Sequence, residues 1–256
     1  MISQPQLSAV IITKNEETDL PRCLESLAFC DEIILVDSGS TDRTLEIAKL
    51  YGCHTYKTDD WPGFGLQKQR ALEKSSGRWI LSIDADEVIT KELRDEILSS
   101  ITNENYSGYY ISRRTNFLGK WMRHGGWSPD YVLRLAVREL AHFDQAILHE
   151  KLIVKGHCGR LKHEMLHFSY PSLQEVLSKQ ARYAVDGKDR ILRSGRNTFL
   201  IFTFARSAWT FIRAYLIQLG FLDGRHGLIA AALKSQEVFW KYIAADLHKR
   251  GERLSK

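Results

Sequence analysis

Several features that would place this chain in other protein classes are absent from its sequence. The four cysteines, Cys23, Cys30, Cys53 and Cys158, include no Cys-x-x-Cys pair, so neither a zinc site nor a disulfide framework is indicated. The opening residues, MISQPQLSAV, lack a basic segment followed by a long apolar core, so no signal peptide is predicted. Together these absences indicate a reducing, cytoplasmic setting.

Glycine-rich phosphate loops are also missing. The sequence contains neither a GxGxxG nor a Walker A pattern, and residues 8–20 hold no glycine. A nucleotide would therefore have to be held by groups other than a glycine-rich loop. This disfavours a nucleotidyltransferase, which would use such a loop near its first strand.

Charge is unevenly distributed along the chain. The net charge is +5, yet residues 1–187 carry 23 Lys/Arg against 26 Asp/Glu, while residues 188–256 carry 13 against 5. A basic tail on a neutral-to-acidic body predicts an anionic partner for the tail, either a membrane or a nucleic acid.

The first hundred residues alternate between short apolar runs and helical patterns. Apolar runs at 9–12, 33–36 and 79–83 are separated by segments with helical spacing. Such runs predict parallel strands buried on both faces, and therefore a doubly wound, mostly parallel, Rossmann-like α/β sheet. Ligands of such sheets bind beyond the carboxyl ends of the strands, where polar clusters follow at 13–16, 37–40 and 84–86.

The segment ILSIDADE, residues 80–87, places three carboxylates within four residues: Asp84, Asp86 and Glu87. Carboxylates this close repel one another unless a cation or a hydrogen-bonding shell holds them. The plain alternative is a solvated acidic loop. A divalent metal with a substrate diphosphate would compensate the cluster, since Mg²⁺ and Mn²⁺ are usually held by one or two carboxylates plus phosphate oxygens.

Four stretches carry a family resemblance: VIITKNEE (10–17), ILVDSGSTDRT (34–44), GLQKQRALEKSSGRWILSIDADE (65–87) and LHEKL (148–152). With them the chain resembles glycosyltransferase family 2 enzymes of the GT-A fold. It looks most like the small bacterial β-1,4-glucosyltransferases of the lipopolysaccharide inner core. The resemblance extends into GFLDGRHGLIAAALKSQEVFWKY (220–242).

The resemblance implies roles for individual residues. The metal, Mg²⁺ or Mn²⁺, would be bound by Asp86 and Asp84, with His167 as a further candidate. The remaining candidates would contact the nucleotide sugar: Thr13, Asn15, Glu16, Asp37, Lys68, Arg70 and Asp84.

The resemblance also implies a catalytic carboxylate. It usually lies in a Glu-Asp pair, but here the corresponding segment reads His149-Glu150. We assign the base role to Glu150, with Asp130 in the loop HGGWSPDYVLRL (124–135) as the alternative. His149 could orient Glu150.

The resemblance and the residue pattern together predict two regions. Residues 1–170 form the GT-A catalytic domain, with a nucleotide-binding half at 1–103 and an acceptor half at 104–170. Residues 171–256 form a helical, membrane-associating region.

Residues 197–222 are strongly apolar but are interrupted by Arg206 and Arg213. A spanning helix needs about 20 apolar residues, so an amphipathic helix in the membrane interface is favoured, with its polar stripe at the headgroups. That stripe consists of Thr203, Arg206, Ser207, Thr210 and Arg213. Packing on the protein itself or on a second subunit is the alternative, and a spanning helix is the least favoured.

The predicted activity is inverting transfer of glucose or a related hexose from a UDP-sugar to a heptose of the lipid-linked lipopolysaccharide core. The expected location is peripheral, on the cytoplasmic face of the bacterial inner membrane, at an anionic lipid surface. Nucleic acid is not expected as a partner, because the tail is too apolar for a solvated basic arm. The alternatives are a transferase of the same fold with another acceptor, such as a capsule or glycolipid precursor or a peptide, and a catalytically silent membrane-binding module.

Overall fold

The computed structural model describes residues 6–144 and 150–251. The first hundred residues alternate between strands and helices, as the apolar pattern predicts. The elements are β1 (Leu7–Thr13), α1 (Leu20–Ser26), β2 (Glu32–Asp37), α2 (Thr44–Leu50), β3 (His54–Lys57), α3 (Phe64–Lys74), β4 (Trp79–Ser82), β5 (Glu87–Ile89) and α4 (Lys91–Ser100).

Strands dominate the middle of the chain and helices its end. The strands are β6 (Gly108–Phe117), β7 (Lys120–Trp121), β8 (Asp130–Val137), β9 (Ala141–Phe143), β10 (Leu152–Val154) and β11 (Cys158–Tyr170). The helices are α5 (Leu173–Asp186), α6 (Lys188–Arg193), α7 (Leu200–Ile212) and α8 (Gly224–Lys249).

Within the described residues, nine strands form one sheet in the order β3-β2-β1-β4-β8-β6-β11-β5, with β7 paired to β6. The first four are parallel, since β1 pairs with both β2 and β4, and β2 pairs with β3. Strand β8 pairs antiparallel with β4 and β6. The predicted α/β class and its parallel first half are confirmed.

The parallel strands are buried on both faces. Alternate residues point to opposite sides of a strand, and two separate apolar clusters result. One cluster contains Ile11, Leu35 and Leu81, and the other contains Val10, Ile34 and Ile80. The continuous apolar runs of the sequence follow from this double burial.

The connection from β4 to β5 gives the acidic segment its position. Strand β4 lies inside the sheet next to β1, whereas β5 pairs with β11 at the end of the strand order. The four residues 83–86 connect the two strands. Asp84 and Asp86 therefore lie on a short crossing at the carboxyl end of β4.

The chain divides into two compact units: residues 1–113 with 130–167, and residues 114–129 with 168–256. In the second unit, helices α5 and α6 follow one another directly and meet at Gly187. Helix α8 begins at Gly224 and packs closely on the preceding turn. A Cβ at Gly227 would lie 1.8 Å from the carbonyl oxygen of Gly220, so only glycine fits there. The functional roles given to 1–170 and 171–256 stay predictions.

Helix α7 presents its apolar side outward. Its polar stripe, expected at lipid headgroups, faces α8 instead: Thr203 is fully buried, and the hydroxyl of Ser207 donates to the carbonyl of Ser235 at 2.8 Å. The Arg206 guanidinium lies 4.8 Å from the centre of the Tyr242 ring. The expected orientation of that stripe is therefore wrong for these residues, although Arg213 is exposed. In the part of the chain that the structure describes, no helix is long and apolar enough to cross a bilayer.

Candidate active site

Glu87 is the most deeply buried carboxylate of the acidic segment. It has no exposed surface, and its Oε1 accepts from the Arg134 guanidinium at 2.7 Å. Its Oε2 accepts from the backbone N–H of Asp84 at 2.9 Å. A solvated acidic loop is therefore excluded, and protein cations help to compensate the cluster.

Asp84 is held between two cations. Its Oδ2 accepts from Arg134 at 2.6 Å, and its Oδ1 lies 2.7 Å from the Lys68 ammonium. Burial alone would raise the pKa of Asp84, but the positive charges of Arg134 and Lys68 and their hydrogen bonds hold this pKa well below its usual range. Asp84 is therefore ionised at neutral pH, and its carboxylate keeps the two cations in place.

Lys68 joins the acidic segment to the predicted base. It lies on α3 with only 6% of its surface exposed, and its Nζ lies 2.7 Å from Oε1 of Glu150. One ammonium therefore connects Asp84 with Glu150, which are 66 positions apart in sequence. His149 lies outside the described residues.

Asp130, the alternative base, has a different partner. Its Oδ2 accepts two hydrogen bonds from the Arg113 guanidinium, at 2.9 Å from Nε and 2.7 Å from Nη2. Arg113 also approaches Glu87 at 3.7 Å. Asp130 is thus paired with an arginine in this structure, whereas Glu150 is paired with Lys68.

Asp86 and His167 form the metal candidate. His167 Nε2 lies 3.3 Å from Oδ2 of Asp86, although the two residues are on different elements. Burial would lower the pKa of His167, but the hydrogen bond to Asp86 and the charges of Asp86 and Glu87 raise it. Among the described residues its buried Nδ1 has no hydrogen-bond partner, so the protein leaves part of this imidazole unsatisfied.

These donors fit a divalent metal in part. Carboxylate oxygen and imidazole nitrogen both suit Mn²⁺, and a diphosphate with water would supply the remaining ligands. Within residues 6–144 and 150–251, no group of three or more His, Cys, Asp or Glu side chains is arranged to hold a metal. Asp84, also predicted as a ligand, has both oxygens engaged by cations.

The nucleotide candidates at the ends of β1 and β2 are tied into one loop network. Asp37 is fully buried and accepts hydrogen bonds from the Thr13 hydroxyl at 3.1 Å and from the backbone N–H of Ser40 at 2.9 Å. Asn15 has a positive φ of 58° and accepts from the backbone N–H of Thr41 at 2.8 Å. These side chains shape the loops, while their contacts with a nucleotide stay predictions.

Glu16 and Arg70 lie at the margins of this network. The backbone N–H of Glu16 donates to the hydroxyl of Thr44 at 2.8 Å. Arg70 forms a two-pronged ion pair with Asp60, at 2.7 and 2.8 Å. Arg70 would have to exchange this partner to contact a nucleotide.

The sequence that builds this site matches a protein-family model. The model described as "Glycosyl transferase family 2" covers residues 8–158, which include the polar loops, Lys68, the acidic segment and Glu150. The chain belongs to glycosyl transferase family 2. Within this family 2 glycosyltransferase, the acidic segment and Glu150 occupy the matched region, whereas His167 follows it.

Relatives of this family 2 glycosyltransferase include a lipopolysaccharide core enzyme. The chain is 31% identical to the lipopolysaccharide core biosynthesis glycosyltransferase LpsC of Rhizobium meliloti (strain 1021), over 94% of this chain and 95% of the relative. It is 27% identical to an uncharacterized glycosyltransferase of Rickettsia typhi (strain ATCC VR-144 / Wilmington), over 88% of this chain and 81% of that relative.

A solved structure shares the fold. It is S. aureus TarS 1–349 in complex with UDP-GlcNAc, with a TM-score of 0.52 and 14% identity. The match covers 98% of this chain and 93% of TarS 1–349.

Sequence reasoning did not identify the internal cations of the site. Arg134 lies inside the acidic cluster with 6% of its surface exposed. Gln67 is a further residue that the sequence does not indicate; it is buried and donates to the hydroxyls of Ser38 and Thr58 at 2.9 and 2.7 Å. The position of Arg134 between Leu133 and Leu135 was the available sign that this arginine is buried.

Proposed function

We propose that this family 2 glycosyltransferase moves a hexose, glucose or a close relative, from a UDP-sugar to a heptose of a lipid-linked lipopolysaccharide core, with inversion. The observation that carries the proposal is the link Asp84–Lys68–Glu150, which brings a carboxylate within reach of the donor-binding segment. The likeness to LpsC supports the acceptor class, and TarS, which has this fold, holds UDP-GlcNAc.

Glu150 takes the proton from the attacking hydroxyl in this proposal. Inversion requires one base opposite the leaving group, and a carboxylate beside the donor can serve. Lys68 contacts Glu150 in the structure, and the donor diphosphate attracts the same ammonium. When Lys68 pairs with the diphosphate, the Oε1 of Glu150 becomes available to the acceptor hydroxyl.

Asp86 and His167 would hold the divalent metal, and Asp84 would keep Lys68 and Arg134 in position beside it. When bound, the metal would neutralise charge that develops on the departing UDP. Lys68 adds a second positive charge on the same side. For Asp84 to bind the ribose of the donor as well, one of its two ion pairs, with Lys68 or with Arg134, would have to break.

Membrane association completes the proposal, because the acceptor is lipid-linked. The outward side of α7 and of the turn after it carries large exposed apolar residues, among them Ile201 (72%), Trp209 (56%) and Leu216 (53%). Exposed apolar side chains grouped on one side of a helix mark an interaction site. With its polar stripe bonded to α8, the helix buries its apolar side in the headgroup boundary of an anionic cytoplasmic leaflet.

The catalytic proposal is tested with purified protein, a panel of UDP-sugars and truncated lipopolysaccharide acceptors, with product detected by mass gain. The anomer is read by NMR, and the metal requirement by chelation. Glu150→Gln should lower kcat by at least about 10²-fold while UDP binding persists. Asp130→Asn is the matched variant; a larger loss there than in Glu150→Gln would transfer the base role to Asp130.

Membrane association is tested separately by flotation with vesicles. The double variant Ile201→Ser/Leu216→Ser should lose vesicle binding, because it removes two exposed apolar side chains from the proposed insertion surface. Leu50→Ser is the control, since Leu50 is 75% exposed at the end of α2 in the first unit. Retained flotation of the double variant would instead favour a subunit contact, which analytical ultracentrifugation would detect.

A further inference from the structure

An open pocket of about 490 Å³ lies where the start of α7 meets the end of α8. It belongs to the second unit and is remote in sequence from the residues of the active site. Its lining includes three cations and one carboxylate, together with a threonine and a phenylalanine: Arg196, Lys249, Arg250, Asp246, Thr198 and Phe199.

The only carboxylate among these lining residues is already compensated. Asp246 accepts from the hydroxyl of Thr198 at 3.0 Å and from the guanidinium of Arg250 at 2.8 Å. Among the residues that the structure describes, Arg196 and Lys249 have neutral partners only: Arg196 donates to the Tyr242 hydroxyl at 3.3 Å, and Lys249 donates to the backbone carbonyl of Arg196 at 3.3 Å.

In the described parts of the chain, Asp246 pairs with Arg250, while Arg196 and Lys249 contact a hydroxyl and a carbonyl rather than a carboxylate. Two positive charges therefore remain available in one pocket. A compact dianionic or monoanionic oxygen group, such as a phosphate, complements them.

An exposed apolar run begins at the edge of the pocket. Phe199 lines it, and Leu200 and Ile201 follow at the start of α7; the three side chains are 63%, 53% and 72% exposed. A soluble phosphate ligand needs no such neighbours, and the aliphatic Leu200 and Ile201 are not the stacking surfaces that a nucleic acid uses. Cations next to exposed apolar side chains match the chemistry of a phospholipid, in which a phosphate adjoins acyl chains.

We infer that this pocket binds the phosphate of an anionic phospholipid headgroup, with Arg196 and Lys249 on the phosphate and Phe199 to Ile201 inserted beside it. The inference rests on the membrane association proposed above and adds a specific headgroup site to it. The pocket lies at one end of the exposed apolar side of α7, so one lipid contact would fix that end of the helix at the headgroup level.

The test compares two double variants on vesicles of phosphatidylcholine alone and on vesicles that also contain phosphatidylglycerol. Arg196→Gln/Lys249→Gln should weaken partitioning onto the anionic vesicles by roughly fivefold per cation, about 25-fold in all. Arg182→Gln/Arg190→Gln is the control: it removes the same charge from exposed positions on α5 and α6. Circular dichroism checks that both variants are folded.

The outcomes separate the site from the association. Equal losses of vesicle binding in the two double variants would overturn the headgroup site, because the net positive charge of the region would then explain that binding. The proposed membrane association would still stand. Failure of the unmodified chain to bind either vesicle would refute the association itself. Saturable binding of free glycerol phosphate as tight as vesicle binding would assign the pocket to a soluble ligand and overturn the lipid source.

Discussion

Replacement of Arg134 by methionine tests the electrostatic account of the site most directly. Arg134 contacts Asp84 at 2.6 Å and Glu87 at 2.7 Å, and Glu87 has no exposed surface. Methionine keeps most of the apolar stem but leaves both carboxylates without their shared cation. The variant should therefore be much less stable than the unmodified protein, although it loses little volume.

The expected magnitude follows from burial. Removal of one partner of a buried ion pair costs about 3–5 kcal/mol, because an uncompensated charge remains in the interior. Lys68 still contacts Asp84 at 2.7 Å, and Arg113 still approaches Glu87 at 3.7 Å, so the lower half of that range is expected. The stability of Arg134→Lys should lie between those of the unmodified protein and Arg134→Met, since lysine keeps the charge but not the guanidinium fork.

The sign of the pH dependence is a second readout. In the unmodified protein the pKa of Asp84 is lowered, so its stabilising contribution is full above its ordinary pKa and is lost only when the pH falls below that value. In Arg134→Met, Asp84 keeps only Lys68 as a cation, so its pKa is lowered less than in the unmodified protein. The stability difference between the two proteins should therefore be full at pH 7 and shrink as the pH falls below the ordinary pKa of an aspartate, by up to about 1.4 kcal/mol per pH unit for each proton.

The assay is urea unfolding at pH 7 and pH 3, with hydrogen exchange in peptides that cover residues 79–89 as a separate local measurement. Arg94→Met is the matched control, because Arg94 is partly exposed and pairs with the exposed Asp95; its effect should stay within about 0.5 kcal/mol. A loss below about 1 kcal/mol for Arg134→Met, with no change between the two pH values, would show that Arg134 does not compensate the cluster.

Three further substitutions probe the framework. Gly227→Ala should destabilise α8 by about 1–3 kcal/mol, because the added Cβ would overlap the carbonyl oxygen of Gly220; thermal unfolding measures this. Asp223 is buried, and although burial would raise its pKa, hydrogen bonds from the backbone and side chain of His124 help to lower it. Asp223→Asn should therefore cost about 1.5–3 kcal/mol at pH 7, and the difference should vanish as the pH falls below the lowered pKa; an equal cost at both extremes would contradict the account. Thr90→Ala removes the N-cap of α4 and should cost about 1 kcal/mol, whereas Thr90→Ser should restore most of it.

The local pattern was sufficient to predict the first half of the fold. Apolar runs such as 33–36 need two covered faces, and only a sheet between helices supplies both. The polar loops after β1, β2 and β4 then had to meet at one edge, because parallel strands end on the same side. The helix break at Gly187 was not predictable, since α5 and α6 share one apolar periodicity and the close approach of Lys241 to Gly187 is a tertiary contact.

The orientation of α7 also depends on tertiary packing. Its sequence shows a polar stripe and an apolar side, but periodicity does not indicate which of them faces the protein. Hydrogen-bonding partners on α8, such as Ser235, settle this, because buried hydroxyls must be satisfied. The apolar side is consequently the exposed one.

The sequence by itself determined the α/β framework, the location of Asp84, Asp86 and Glu87 after a buried strand, and the need for positive charge beside them. Which cations supply that charge was decided only by the tertiary structure. Lys68 lies on a helix and Arg134 on a strand, 66 positions apart in sequence, and no local sequence pattern indicates that both contact Asp84. Electrostatic compensation acts through space over a few ångströms, so the partners of buried charges are fixed by the packing of the elements that carry them.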